Sequence, residues 1–449
     1  MVGLLTAAFV SRAGNAITAI AVPLYVFSDT GSALATGVAG VCATAPVVIG
    51  GALGGALIDR VGYRASSIVA DLASGLTVLA LPILAATGRL HFGVLLVLVF
   101  LSGLLDTPGD TAKTVLLPEV AARAGTPLAR AAGAQSAVQR SASMVGAAVA
   151  GILIGVVGAP GALYVNAATF GVSALVIAVL IPRTPRTQPA TGPAGDARAE
   201  DGPGYWRGFA DGLRWLWSNA LLRSIVLLVM GTNAIDMAGL TVLFPVYATE
   251  RLESASALGF MVACFAGGAL GGAVLFAAVA HRASGRGLFV LFFVLAGVPP
   301  FLAMALELPL AALLAVLICS GLAAGGINPM VSTALYGLVP DAMRARVFGA
   351  MSAGVSGAMP LGAFLGGASV AAIGLTPTLL AAACVYAAAT LTPLVGPHWR
   401  GLGAAVRAAS ADSTEIPRPI RVETRLSRAL SGRCFSPSNS MMADRKSVV

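Results

Sequence analysis

Twelve apolar stretches, each about 20 residues long, follow one another along this chain of 449 residues. Each can cross a hydrocarbon layer of roughly 30 Å as an α-helix. Charged residues make up only 10% of the chain, too few to cover a water-facing surface. The sequence therefore predicts an all-α polytopic membrane protein with twelve transmembrane helices. The spans lie near residues 3–27, 33–57, 66–87, 91–112, 133–157, 161–181, 222–248, 257–280, 287–306, 309–332, 347–372 and 376–396.

The twelve spans form two groups of six, because landmarks recur in the same order 217 to 222 residues later. The heptapeptide GGALGGA stands at 50–56 and again at 267–273, and Gly37 is matched by Gly259. A parallel duplication of this kind places a substrate site between two pseudo-symmetric halves, near the bilayer midplane. The expected divisions are an N-terminal six-helix bundle (1–181), a cytoplasmic linker (182–221), a C-terminal six-helix bundle (222–396) and a disordered cytoplasmic tail (397–449).

The end of the linker predicts a helix that lies in the membrane interface. Residues 205–221 place large apolar side chains on one helical face and charged side chains elsewhere, which is typical of interfacial helices. The apolar face consists of Trp206, Phe209, Leu213, Leu216, Trp217 and Ala220.

The distribution of Arg and Lys predicts the orientation. With the N-terminus in the cytoplasm, the inner loops carry fifteen of these residues, Lys113 among them, and the outer loops carry only Arg89 and Arg251. Both termini are therefore expected in the cytoplasm, with the chain in the cytoplasmic or inner cell membrane. The net charge of +9 is explained by this orientation signal and by anionic lipid, so no nucleic-acid partner is expected.

Several classes of protein and site are excluded by what the sequence lacks. The two lysines, Lys113 and Lys446, do not follow glycine, so there is no Walker A loop and no P-loop ATPase. The five cysteines are isolated from each other and from histidine, so neither a metal site nor a disulfide framework is indicated. An integral-membrane enzyme would need a catalytic cluster such as DDxxD or HExxH, which is also missing. We therefore expect no enzymatic activity, no metal and no other cofactor.

One motif stands where the second span turns into the third. Residues 55–64 read GALIDRVGYR, and an aspartate at the C-terminal end of a helix is unfavourable unless another helix or a basic group faces it. This pattern resembles motif A of the major facilitator superfamily. In that family the aspartate contacts the start of the eleventh helix, here residues 344–350, and holds the cytoplasmic side closed. The resemblance implies a latch made of Asp59, its charge partners Arg60 and Arg64, and Gly55 and Gly62, which allow close approach.

Three further stretches, 22–37, 116–151 and 212–223, resemble the branch of that superfamily that contains macrolide-efflux and enterobactin-export proteins. The resemblance implies the major facilitator fold and proton-coupled efflux of hydrophobic or amphipathic small molecules by alternating access. The alternatives are a dedicated exporter of a siderophore or other secondary metabolite and, from another class, a non-transporting membrane sensor. The expected partners are the small-molecule substrate, protons and the lipid bilayer, and the expected state is a monomer.

Six ionisable residues fall inside predicted spans, where each costs roughly 2.5–3.5 kcal/mol to insert. Asp71 lies about two turns into the third span, and we expect it to form a structural ion pair near the inner end. Asp110 and Arg140 are equally distant from the loop between the fourth and fifth spans. Antiparallel packing would put them at one depth, so they are interpreted as a structural ion pair, with a coupling role as the alternative.

The remaining three charges are candidates for coupling or substrate binding. Asp106 lies one turn from Asp110, just before Pro108 and Gly109, which can open the backbone locally. Asp106 or Asp236 is the expected carrier of the coupling proton. Arg12 would bind substrate or neutralise that acid. The cavity candidates Arg12 and Asn15 in the first span and Asn233 in the seventh, beside Asp236, occupy related places in the two halves.

Overall fold

The structure, a computed structural model, describes residues 1–181, 203–279 and 285–401, without the side chains of 47–48, 50–61, 129, 203–209, 279, 341–342, 345 and 400–401. Helices joined by short turns account for the described chain. They are α1 (Val2–Thr30), α2 (Ala33–Val61), α3 (Tyr63–Ala86), α4 (Phe92–Arg123), α5 (Leu128–Leu180), α6 (Pro203–Ser218), α7 (Ala220–Ala238), a π-helical segment (Gly239–Leu243), α8 (Phe244–Glu250), α9 (Ala255–Val279), α10 (Arg286–Ala305), α11 (Leu310–Leu338), α12 (Asp341–Ile373), α13 (Leu375–Val395) and a 3₁₀ turn (Pro397–Gly401).

Ten of the described helical stretches are long and apolar enough to cross a membrane. The longest, α5, turns back at Gly158 and so provides two crossings, and α2 adds a further crossing of 29 residues. Backbone polar groups in hydrocarbon must be paired within the segment, which explains why the spans are helical. The predicted twelve helices are thus present as two halves of six, α1–α5 and α7–α13.

The geometry of the turns confirms the duplication. Gly158, between the two crossings of α5, has φ 75° and ψ 170°, and Gly374, between α12 and α13, has φ 84° and ψ 171°. Few residues other than glycine adopt this conformation. The same reversal is therefore built at the same place in both halves.

The packing of the third crossing against the sixth repeats as well. In the first half a Cβ on Gly75 would meet the side chain of Phe170, and in the second half a Cβ on Gly297 would meet the ring of Tyr386. Gly75 and Gly297 are 222 residues apart, and Phe170 and Tyr386 are 216 apart. These pairs fix which residues of the two halves correspond.

The bundle has two ends. The turn between α1 and α2 lies at one end, called the Gly31 end, and the turn between α2 and α3 lies at the other, called the Gly62 end.

The halves meet where α2 packs along α12 and α5 packs along α9. A Cβ on Gly37 would lie 3.0 Å from the Cα of Gly367, and one on Gly259 would overlap the backbone of Gly151. Both crossings depend on small residues, as expected for helices packed without water.

A buried ion pair holds the first half together. The Nζ of Lys113 on α4 lies 2.7 Å from Oδ1 of Asp71 on α3, and the two side chains are 2% and 0% exposed. The other carboxylate oxygen of Asp71 accepts a hydrogen bond of 2.7 Å from the hydroxyl of Ser173 on α5. Breaking a buried pair costs much more than an exposed pair contributes, because the remaining charge has no water. This triad therefore fixes α3, α4 and the second crossing of α5.

The corresponding positions of the second half are apolar. By the offsets above, Asp71 corresponds to Phe293, Lys113 to Leu335 and Ser173 to Ala389. Phe293 and Leu335 are buried in one apolar cluster, and the rings of Phe289 and Phe293 are 4.8 Å apart. One half is thus held by charge and the other by aromatic packing.

Two expectations are corrected by the fold. The sequence places Lys113 in an inner loop, but α4 continues to Arg123, so Lys113 is inside the bundle. The sequence also places residue 397 onward in a disordered tail. Pro397–Gly401 instead forms a 3₁₀ turn, and Trp399 is 2% exposed with its ring 5.8 Å from that of Phe289. Residues 402–449 lie outside the described chain.

The helix predicted in the linker is α6. It packs on α12, where a Cβ on Gly212 would meet the backbone of Arg346. Leu216 is buried against the second half, whereas Leu213 and Trp217 are exposed. The predicted apolar face is therefore split between the bundle and its surroundings, and the side chains of Trp206 and Phe209 lie outside the described residues.

The glycine crossing between α5 and α9 leads to a stability prediction. A Gly259→Leu substitution should force the two helices apart and cost about 1–3 kcal/mol, as overpacking does elsewhere. The matched control is Gly171→Leu on α5, because a Cβ on Gly171 meets nothing within 4 Å. We expect thermal unfolding of the purified protein to shift downward for Gly259→Leu alone; equal melting temperatures for the two variants would contradict the packing described.

The buried ion pair leads to a second prediction. Lys113→Met leaves the Asp71 carboxylate without its partner and should destabilise the protein by about 3–5 kcal/mol. Replacing both residues with leucine should recover most of this loss, since the second half folds with Phe293 and Leu335 at these places. Arg123→Gln, which removes an exposed i,i+4 pair with Glu119, is the control and should cost about 0–1 kcal/mol. Thermal unfolding of all three variants tests this, and a double variant less stable than Lys113→Met would refute it.

Candidate transport site

The first half carries a second ion pair, between α1 and α4. Nη2 of Arg12 lies 3.0 Å from Oδ2 of Asp110, and the two side chains are 31% and 25% exposed. The partner of Asp110 is therefore Arg12, and the expectation that it pairs with Arg140 is wrong. Equal depth does not fix the direction in which a side chain points, and α1 presents Arg12 to the face of α4 that carries Asp110.

Asp106 lies one turn away from Asp110 on α4, and its carboxylate has fewer bonding partners. Its Oδ2 accepts a hydrogen bond of 2.7 Å from the side-chain amide of Asn15 on α1. Its Oδ1 is buried with no hydrogen-bond partner in the structure. Asp110, Lys113 and Asp71 are all within electrostatic range of it. Among the described residues, no basic side chain is thus bonded to Asp106, although two are bonded to its acidic neighbours.

Counting charges across this cluster of α1, α3 and α4 leaves one carboxylate in excess. The bases are Arg12 and Lys113, and each is bonded to its own acid, Asp110 and Asp71 respectively. Asp106 is the third acid, and a neutral amide is its bonding partner. With one proton on Asp106 the cluster is neutral, and without it the cluster carries one negative charge. The arrangement can therefore hold and release a proton.

In the second half, Asp236 stands in the middle of the seventh crossing. Its side chain is exposed, and neither a hydrogen bond nor an ion pair links it to the described residues. Asn233, one turn earlier, uses its amide to donate to the Val229 carbonyl at 2.8 Å. Tyr386 on α13 is buried within electrostatic range of Asp236 and beside Thr232. Asp236 is thus an isolated acid with a tyrosine hydroxyl nearby.

The backbone changes its winding directly after Asp236. Gly239–Leu243 is π-helical, and the amide of Phe244 donates to the carbonyl of Gly239. The proline at position 245 has no amide hydrogen to give to the preceding turn, and the wider turn changes the register just before it. Short π segments inside α-helices are frequent at functional sites. No feature of the sequence other than Pro245 signals this change.

Arg140 lies on α5 and does not form the expected pair with Asp110. Its side chain is half-buried, and the described residues offer it no hydrogen bond or ion pair. It is on the helix face of Met144, which packs against Gly267 of α9 in the other half. The predicted structural ion pair between Arg140 and Asp110 is therefore not formed.

Two of the motif A residues can be placed. Gly62 has φ 91° and begins α3, which explains the glycine at this turn. Arg64 donates from Nε to the Ile181 carbonyl at 2.7 Å and from Nη2 to the Ala178 carbonyl at 2.6 Å. Arg64 thus caps the C-terminal end of α5. The side chains of Asp59 and Arg60 and the surroundings of Gly55 lie outside the described part of the structure.

Sequence reasoning missed three residues that shape the site. Lys113 was detectable, because it lies three residues after Asp110 and seven after Asp106 on one helix. Nothing in the sequence indicated a role for Ser173 or Tyr386, because hydroxyl-bearing residues are common in membrane helices. Among the described residues, no three of His, Cys, Asp and Glu come close enough together to bind a metal ion.

Comparisons with known proteins agree with this architecture. The profile of the Major Facilitator Superfamily matches residues 4–253 and 226–437. Multidrug efflux pump Tap of Mycolicibacterium fortuitum is 32% identical over 382 residues, which cover 84% of this chain and 91% of the pump. Multidrug efflux pump Tap of Mycobacterium tuberculosis strain H37Rv is 30% identical over 420 residues, covering 93% and 96%.

Two solved structures share the fold at low sequence identity. A mutant of the nucleoside transporter NupG superposes with a TM-score of 0.70 at 14% identity, covering 91% of this chain and 99% of its own. A bacterial homologue of the human lysosomal transporter Spinster, inward-facing and unoccupied, gives 0.58 at 15% identity, covering 92% and 97%. The duplicated six-helix halves, motif A and these matches together show that the chain belongs to the major facilitator superfamily, a family of membrane transporters.

Proposed function

We propose that this protein is a proton-coupled exporter of hydrophobic or amphipathic small molecules that works by alternating access. The relatives named multidrug efflux pumps, aligned over most of both chains, support the export of drugs. The distribution of Arg and Lys supports a position in the cell membrane with both termini in the cytoplasm, and we propose that the protein acts as a monomer. It also supports the division into bundles 1–181 and 222–396, joined by the linker 182–221.

The observation that carries the coupling proposal is the excess carboxylate of the first half. Asp106 has a bonded amide on one oxygen and a buried, unpartnered second oxygen, while the neighbouring acids each have a base. A carboxyl group in this setting is stabilised by a proton and loses that advantage when water enters. Opening of the cavity to one side would then let Asp106 exchange its proton with that side.

Asp236 offers a second acid on the opposite half. It has no described partner, so a proton or a cationic group of the cargo would satisfy it. Asn15 and Asn233 would supply neutral hydrogen-bonding groups on the two walls of the cavity. Arg12 would bind cargo only by giving up part of its contact with Asp110, so neutralising that acid is its first role.

Alternating access would use the glycine crossings and the motif A latch. The small residues at Gly37, Gly151, Gly259 and Gly367 let the halves rock against each other with their backbones in contact. We propose that Asp59 holds the Gly62 end closed against the start of α12, as the family resemblance implies. Arg60 would be its charge partner, and Gly55 would allow the approach. Because Arg64 caps α5, its part in the latch would be to fix the end of that helix.

The coupling proposal predicts a separation of two transport activities. Asp106→Asn retains the hydrogen-bonding shape but cannot release a proton, so uphill efflux driven by a pH gradient should be lost. Exchange of cargo across the membrane without a gradient should remain, because the cavity is intact. Asp236→Asn should lose uphill efflux of cationic cargo. Uphill efflux and exchange are both measured in proteoliposomes with the ethyl ester of rhodamine B, a cationic dye. Each measurement is made with and without a protonophore.

The control is Asp211→Asn, which changes an exposed acid on α6 and should leave both activities unchanged. Gradient-driven efflux that is unaltered in both Asp106→Asn and Asp236→Asn would contradict proton coupling through these residues. Loss of exchange together with uphill efflux would point to a folding defect, which the melting temperature of each variant checks.

A further inference from the structure

Arg140 is a basic residue inside the membrane-spanning bundle for which the described protein supplies no acid. A charged side chain at such a depth is costly, and it is usually compensated by a partner or by water in a cavity. Among the described acids of its half, Asp110 pairs with Arg12 and Asp71 with Lys113, and neither a hydrogen bond nor an ion pair joins Arg140 to Asp106. Arg140 is also absent from the charges that act on Asp106. The described residues therefore leave its charge without a bonded counter-charge.

The position of Arg140 on α5 shows which way the side chain is directed. Met144 and Gly151 follow it by four and eleven residues, which places all three on one stripe of the helix. Met144 approaches Gly267 of α9, and Gly151 touches Gly259 of the same helix. The stripe that ends in Arg140 thus faces the other half of the protein.

The contact between α5 and α9 opens about one turn beyond the level of Arg140. On α9, Val274 lies seven residues beyond Gly267 and so on the same face, and it is 66% exposed. Because Val274 is so exposed on the face of α9 that contacts α5, it marks the place where the two helices separate. Arg140 therefore lies at the edge of the space between the halves, next to the last contact of Met144 with Gly267.

We propose that Arg140 binds the anionic group of the transported compound, so that carboxylate-bearing amphipathic molecules are a preferred cargo. The inference rests on the proposed export function and adds the chemical class of cargo. A guanidinium group has five donors and no acceptor, and it matches the two oxygens of a carboxylate. The neighbouring wall supplies Met144, a flexible apolar side chain that suits the rest of an amphipathic molecule.

Binding of two dyes that differ in one carboxylate tests the proposal. Rhodamine B carries a free carboxylate, and its ethyl ester does not. In nanodiscs of phosphatidylcholine, Arg140→Gln should weaken binding of rhodamine B about tenfold or more, the value of one charge-assisted hydrogen bond. Binding of the ester should change little, and Arg140→Lys should retain part of the preference. The matched control, Arg130→Gln, changes an exposed arginine on the same helix and should alter neither dye.

Three outcomes would overturn the role of Arg140. These are an equal loss of binding for both dyes, a wild-type protein that binds the ester as tightly as the acid, and a marked fall in melting temperature in Arg140→Gln. If the effect of the variant on rhodamine B appeared only in nanodiscs containing anionic lipid, a lipid headgroup and not cargo would be the ligand. Export is measured separately with the ester: its failure contradicts the proposed function, while export of the ester without preference for the acid contradicts only this inference.

Discussion

The cost of placing charge in hydrocarbon is the constraint on which the first half of this transporter depends. Five ionisable side chains lie together among α1, α3 and α4, and two ion pairs satisfy four of them. The buried pair of Asp71 and Lys113 fixes the helices, and the half-exposed pair of Arg12 and Asp110 lines the site. The fifth side chain, Asp106, is left with an amide. Structure and proposed coupling thus follow from the same requirement that buried charge be compensated.

The duplication makes this arrangement easier to interpret, because the second half shows what the same fold looks like without the charges. Phe293 and Leu335 stand where the first half has Asp71 and Lys113, and the fold is retained. The charged pair is therefore not required by the architecture itself. Its further effect in the first half is electrostatic, because both Asp71 and Lys113 act on Asp106. The second half contributes a different element, an isolated acid at Asp236 followed by a π-helical segment.

The sequence was sufficient for the class of fold, the number of spans and the duplication, since these follow from hydropathy and from repeated landmarks. It was insufficient for the partners of the charged residues. Depth along a helix can be counted from the loops, but rotation about the axis depends on packing, so Asp110 was matched with Arg140 when its partner is Arg12. Lys113 was assigned to a loop because α4 extends beyond its apolar part. The burial of Trp399 depends on a tertiary contact with Phe289 that no local pattern encodes, and Pro245 is the one local signal of the winding after Asp236.

The proposed coupling requires that Asp106 is the group of the first-half cluster that takes up and releases a proton. Infrared difference spectroscopy of the purified protein during a pH titration tests this directly, because protonated and ionised carboxyl groups absorb at different frequencies. The wild-type protein should show a titrating carboxylic-acid band that is missing in Asp106→Asn and retained in Arg130→Gln. A spectrum of Asp106→Asn identical to that of the wild-type protein would contradict it.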